Sequence, residues 1–187
     1  MFLNKHKPNL NIENIQFKSD GITLRGKLIT PDAKDNLPVL IMTHGSSATY
    51  NMAIIEYAYE ISKSGFAVLL YDHPTIGTSD GEPRVEIELW KQARGYRDAI
   101  SFVEKQSKLD SNKINIWGDS FSSWVAILVS VVDDRVASLI AQTTAIGDQF
   151  FEDDQGDQYL DKLKDIYYNA DLISFERDII GPLPMVS

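Results

Sequence analysis

The feature that most limits what this chain can fold into is a series of short apolar runs separated by stretches of helical periodicity. Val39-Leu40-Ile41-Met42-Thr43, Phe66-Ala67-Val68-Leu69-Leu70-Tyr71, Ile114-Asn115-Ile116-Trp117 and Val136–Ala141 have the length and composition of strands buried on both faces of a parallel sheet. Between them, Ile54, Tyr57, Ala58 and Ile61 fall at helix spacing, as do Leu89, Ala93, Tyr96, Ile100 and Val103, and Phe121 to Val132 supplies a third apolar helix. Strand alternating with helix is the pattern of a wound, mostly parallel α/β sheet. Right-handed crossovers put its ligand crevice at the carboxyl ends of the strands, where the loops after Thr43, Tyr71 and Trp117 converge. Ahead of these runs, Ile12–Lys18 and Ile22–Ile29 read as two strands joined at Ser19-Asp20-Gly21, an antiparallel hairpin on an Asp-Gly turn.

The 187 residues, 43% of them hydrophobic, suffice for one globular core. With 27 acidic against 18 basic residues the net charge is -9, which disfavours nucleic acid as a partner. The chain contains no cysteine, so disulfides and thiolate metal sites are ruled out. No apolar run reaches signal-peptide length near Met1, and none approaches the roughly 20 residues of a membrane span. A soluble, cytoplasmic protein without membrane contact is the expectation, with no metal and no cofactor.

The most informative segment is Ile114-Asn115-Ile116-Trp117-Gly118-Asp119-Ser120-Phe121-Ser122, an apolar strand that runs into Gly-x-Ser-x-Ser and then straight into a helix. A serine hydroxyl becomes a useful nucleophile on a tight strand-to-helix turn, near a base and beside a free backbone N–H, and small flanking residues permit that turn. Gly118 is the first small residue, and Ser122 stands where glycine is usual. The bland alternative makes Ser120 no more than the N-cap of the helix starting at Phe121. A second element supports the nucleophile: the strand Val39–Thr43 runs into His44-Gly45-Ser46-Ser47, a position from which a backbone N–H, at Ser46, can pair with that of Phe121 as an oxyanion hole. His44 is expected to shape this loop as a structural histidine bonded to nearby backbone.

Together His44-Gly45, the stretch Tyr71-Asp72-His73-Pro74-Thr75-Ile76-Gly77-Thr78-Ser79-Asp80-Gly81-Glu82-Pro83-Arg84, and Gly118-Asp119-Ser120-Phe121-Ser122 resemble the α/β-hydrolase superfamily, and within it the dienelactone-hydrolase-like and Xaa-Pro-peptidase-like (CocE/S15-type) members. The resemblance covers Asn11 to Ala141. It implies an α/β-hydrolase-like sheet with an N-terminal antiparallel hairpin, Ser120 as nucleophile, backbone oxyanion donors at Phe121 and Ser46, and supporting roles for His44, Gly45, Gly118, Asp119 and Ser122. Pro74 occupies a place where the family often has arginine, so an ion pair that stiffens this loop is expected to be missing.

The resemblance also defines a gap. The family places its catalytic acid and then its histidine after the nucleophile, whereas the histidines here are His6, His44 and His73. Residues 1–141 therefore read as the N-terminal part of the hydrolase core, lacking the last strands. Residues 142–187 read as an incomplete cap or connector, acid-rich from Asp148 to Asp165, with a solvated helix around Asp157–Tyr168. The acids Asp148, Asp153, Asp154 and Asp157 lie in this cap and are not nominated as the catalytic acid. Two functions remain open. One is a serine hydrolase of esters, thioesters or amides that acts by acyl transfer through Ser120 and takes its acid and histidine from outside this chain, as a truncated or split enzyme. The other is a non-catalytic binding or assembly module. In either, a second subunit or another copy of the chain is a candidate to complete the sheet. A hydride-transfer enzyme is disfavoured, because no Gly-x-Gly-x-x-Gly follows the first parallel strand.

Overall fold

The computed structural model describes residues 9–32, 35–145 and 156–169. Strands β1 (Leu10–Ser19) and β2 (Ile22–Pro31) form the hairpin predicted from Asp20-Gly21. Both turn residues have positive φ, 47° and 76°, the twist that lets a two-residue turn join antiparallel strands. β3 (Leu37–Thr43), β4 (Ala67–Tyr71), β5 (Leu109–Asp119) and β6 (Val136–Gln142) follow, and the sheet order is β1-β2-β4-β3-β5-β6. β2 meets β4 antiparallel, while the β4-β3, β3-β5 and β5-β6 pairs are all parallel. This is the expected mixed α/β-hydrolase-like sheet.

Helices α1 (Ile54–Lys63), α2 (Leu89–Glu104) and α3 (Phe121–Val132) connect the strands as the periodicity indicated. On one face, the inward side chains of β3, β4 and β5 pack with Ala93, Tyr96, Ile100 and Val103 of α2 and Val125, Ala126 and Val129 of α3. On the other, Met42, Val68, Leu70 and Trp117 pack against α1 through Ala58, with Ile54, Ile55 and Ile61 partly buried. Tyr57, placed on the inward side by spacing alone, is 53% exposed and meets Trp117 edge-on.

Two elements differ from the sequence reading. β6 was expected to be buried on both faces, but it is the edge of the described sheet, and only Val136 and Leu139 are half-buried. The helix α4 (Gly156–Tyr168) exists as expected, yet it is not a wholly solvated surface helix. Tyr167 is fully buried in the core that contains α2 and α3 and donates its hydroxyl to the buried Asp133 carboxylate at 2.9 Å. The Arg97 guanidinium donates to the carbonyls of Tyr167 and Tyr168 and so closes the C-terminal end of α4. Asp148, Asp153 and Asp154 lie outside the described residues. Among the described residues no helix is long and apolar enough to cross a membrane.

Candidate active site

The carboxyl ends of β3, β4 and β5 bring together the His44–Ser46 loop, the Asp72–Asp80 loop and the turn at Ser120. Ser120 sits between β5 and α3 with φ 54° and ψ -121°, a left-handed backbone that costs a non-glycine residue on the order of 1–3 kcal/mol. It occupies the N-cap position of α3 but its side chain makes no capping hydrogen bond, so the bland explanation for a serine here fails. Its backbone is held instead. The Ser120 N–H donates to Gln142 O, and its carbonyl accepts from the Ser123 N–H, the Ser123 hydroxyl and the Ala145 N–H.

Crowding explains the small residues. A Cβ on Gly118 would lie 2.1 Å from the Ser122 carbonyl oxygen, which only a backbone shift could relieve. A Cβ on Gly45 would lie 3.0 Å from Ser120 Cβ and 3.6 Å from its Oγ, which puts the His44–Ser46 loop directly over the nucleophile candidate. Ser122 is fully buried, and its side chain accepts from the Asp119 N–H at 3.1 Å and lies 2.9 Å from the Thr43 hydroxyl. Phe121 is the first helical residue, so its N–H is one of the donors that a helix leaves without an intrahelical partner.

His44 is 1% exposed and bonded to the backbone of its own loop. Its Nδ1–H donates to Gly45 O at 2.8 Å, and its Nε2 lies 3.3 Å from Asp72 Oδ1 and 3.4 Å from the His73 N–H. Asp72 was not singled out from the sequence beyond its place in the motif. It is fully buried and takes the Tyr50 N–H on one oxygen, and the Thr78 N–H and hydroxyl on the other. Burial alone would raise its pKa, but the contacts with His44, Thr78 and Tyr50 outweigh it and hold the carboxyl below the ordinary range. His73 is buried with neither ring nitrogen bonded, and burial first, then the neighbouring His44, keeps it well below the ordinary histidine value.

The loop carrying Pro74 is bonded by two arginines at other positions. Arg25 of β2 pairs with Asp80 at 2.6 Å and donates to Thr78 O, while Arg84 donates to Ser79 O and Gly77 O. Arg25, from β2, thus supplies an ion pair to this loop, while Arg84, within the same motif, bonds its backbone carbonyls. Neither His44 nor His73 hydrogen-bonds Ser120, and His6 is outside the described residues. Among the described residues no group of three or more His, Cys, Asp or Glu side chains is arranged to hold a metal.

A mixed sheet in this order, with a strained serine between a parallel strand and its helix, defines an α/β-hydrolase-type chain. Residues 20–158 match the model of the X-Pro dipeptidyl-peptidase (S15) family, more than half of the chain, and the protein belongs to that family. It is 37% identical over 134 residues to the thiohydrolase aneE of Aspergillus aculeatus, covering 72% of this chain and 42% of that protein. It is 36% identical over 130 residues to the polyketide transferase ATR5 of Stachybotrys chlorohalonatus, covering 69% and 43%. The crystal structure of the α/β hydrolase GrgF from a Penicillium species superposes with a TM-score of 0.66 at 32% identity, covering 69% of this chain and 44% of that one. The match therefore spans less than half the length of each of these relatives.

Proposed function

We propose that this chain carries the nucleophile and oxyanion half of a serine hydrolase that transfers an acyl group through Ser120. The observation that carries this reading is the strained Ser120 backbone together with a hydroxyl that caps nothing. A hydroxyl released from capping at that strain is poised for attack, with the Phe121 N–H next to it. Ser46 is the second donor in this reading. In a trans peptide the Gly45 C=O and Ser46 N–H point in opposite directions, so the bonds that His44 and Ala48 make to the Gly45 oxygen also set the direction of the Ser46 N–H.

The relatives named for thiohydrolase and polyketide transferase activity favour an acyl thioester among the esters, thioesters and amides open to this chemistry. The catalytic acid and the histidine come from outside this chain in the reading proposed, since the described histidines, His44 and His73, are buried and neither hydrogen-bonds Ser120. Residues 1–141 then act as the core and 142–187 as cap or connector. That neither described histidine hydrogen-bonds Ser120 is what favours the second reading, a non-catalytic module.

Treatment of the full chain with a fluorophosphonate, followed by peptide mapping, tests the proposal. The expected result is a slow, single adduct on Ser120 that is lost in Ser120→Ala. Adduct on a different serine, or equal labelling of Ser120→Ala, would overturn it.

A further inference from the structure

The elbow under Ser120 is tied to three other elements by a closed run of buried polar contacts. The Asp119 N–H donates to Ser122 Oγ at 3.1 Å, the Ser122 and Thr43 hydroxyls lie 2.9 Å apart, the Thr43 and Tyr96 hydroxyls touch, and the Tyr96 hydroxyl donates to Trp117 O at 2.7 Å. Thr43, Tyr96 and Ser122 are each fully buried. The Thr43 hydroxyl donates to Ser122 Oγ, the Ser122 hydroxyl hydrogen faces the Thr43 and Asp119 carbonyl oxygens, and the Tyr96 hydroxyl hydrogen lies between Trp117 O and the Thr43 oxygen. The run leaves β5 at Asp119, passes through α3, β3 and α2, and returns to β5 at Trp117, which brackets Gly118 just ahead of Ser120. Burial raises the Tyr96 pKa, which keeps its hydroxyl protonated and able to donate.

We propose that this relay is a positioning device for the nucleophile, with Ser122 as its hub: it sets the spacing between the Ser120–Phe121 turn and the end of β3, from which the His44–Ser46 loop departs. The two oxyanion donors belong to those two segments, and Ser122 Oγ is in contact with both, since it also lies 3.2 Å from the carbonyl oxygens of Thr43 and Asp119. Serine in a place where glycine is usual thus adds a clamp. Without the Ser122 hydroxyl the Asp119 N–H and Thr43 hydroxyl lose their partner inside the core, and the turn is free to settle at a different distance from β3. The inference rests on Ser120 being the nucleophile.

The test uses the full chain, its Ser122→Ala and Tyr96→Phe variants and the double variant. Each is checked by circular dichroism and thermal melting, then compared for the rate of fluorophosphonate labelling at Ser120 and for the phosphorus NMR shift of the adduct. A displaced turn is expected to slow labelling of folded Ser122→Ala by roughly tenfold or more and to move the phosphorus shift. Tyr96→Phe is expected to act in the same direction, with the double variant no slower than the slower single one, as members of one relay should behave. Folded variants that label at the wild-type rate with an unmoved phosphorus shift would overturn the relay and leave the nucleophile standing. If either variant fails to fold, the other decides by the same two readouts. Failure of the wild-type chain to label at Ser120 would overturn the nucleophile assignment, and the relay with it.

Discussion

Asp72 Oδ1 lies 3.3 Å from His44 Nε2 in a site where neither side chain is more than 1% exposed. The same oxygen takes the Tyr50 N–H, so one carboxylate holds both ends of the segment that runs from His44 to Tyr50 over Ser120. Asp72→Asn keeps the shape, but its amide group must face the Tyr50 N–H or the Thr78 N–H, donor against donor. Removing a charged acceptor from backbone donors and a buried ring is expected to cost about 3 kcal/mol. Urea unfolding checks this, and a loss within error of zero would show that the pair does not hold the loop.

His73 gives the fold an acid-sensitive point. Its folded-state pKa lies well below the ordinary 6.5, so below about pH 6.5 the unfolded chain takes up a proton that the native chain refuses. Stability should fall from there downward. The Asp72 carboxyl acts further down, because its depressed pKa adds stability that is complete above about pH 4 and is lost as pH falls through the folded value. The ring packs against His44, Tyr71 and Tyr96. His73→Phe is expected to flatten the melting temperature between about pH 6.5 and 5 while leaving the steeper loss at lower pH. An unchanged slope in that window would assign the acid sensitivity to another group.

Much of the site was legible because its signals are local. An Asp-Gly pair between alternating strands, apolar runs of strand length, and a small-x-Ser-x-small turn at a strand–helix junction each carry their geometry within a few residues. What escaped the sequence depends on distant partners. The ion pair on the Pro74 loop comes from Arg25, which precedes Asp80 by 55 residues, and no local pattern joins them. Thr43 and Tyr96 read as strand end and core aromatic, and their part in the relay exists only once β3, α2 and α3 meet. The acid-rich stretch near α4 suggested solvation by its charge, while the two residues that bury, Ile166 and Tyr167, come at its end.

That burial makes Tyr167 the anchor of α4. Its hydroxyl donates to Asp133, whose carboxylate also receives the Arg135 guanidinium at 2.7 Å. Tyr167→Phe keeps the ring in the core and deletes only this bond to a charged acceptor, an expected loss of about 1.5–3 kcal/mol. Hydrogen exchange resolved by segment should show the loss first in residues 160–169, with β3 and β5 still protected. Uniform loss across the sheet would mean that α4 unfolds with the core and is no separate unit.

The two edges of the sheet differ in a way that bears on assembly. β1 exposes Asn11, Glu13, Asn14, Gln16 and Lys18 along its edge, so that its own exposed apolar side chain, Ile12, stands among polar and charged ones of the kind that discourage further strand pairing. β6 reads Val136-Ala137-Ser138-Leu139-Ile140-Ala141-Gln142 with no charge at all, Ile140 is 47% exposed, and among the described residues no strand covers its outer side. Ile140 pairs in register with Trp117, so its side chain lies on the α1 face beside the buried indole, whose Nε1–H is without a partner. An uncharged parallel edge next to an exposed apolar side chain favours pairing with another strand, such as that of a second copy of this chain. The chain as it stands is therefore expected to associate with rising concentration in light scattering, and Ile140→Lys, which puts a charge on that edge, to shift it toward the monomer. A wild-type chain that stays monomeric at every concentration tested, with Ile140→Lys indistinguishable from it, would mean that the β6 edge is already covered within the chain.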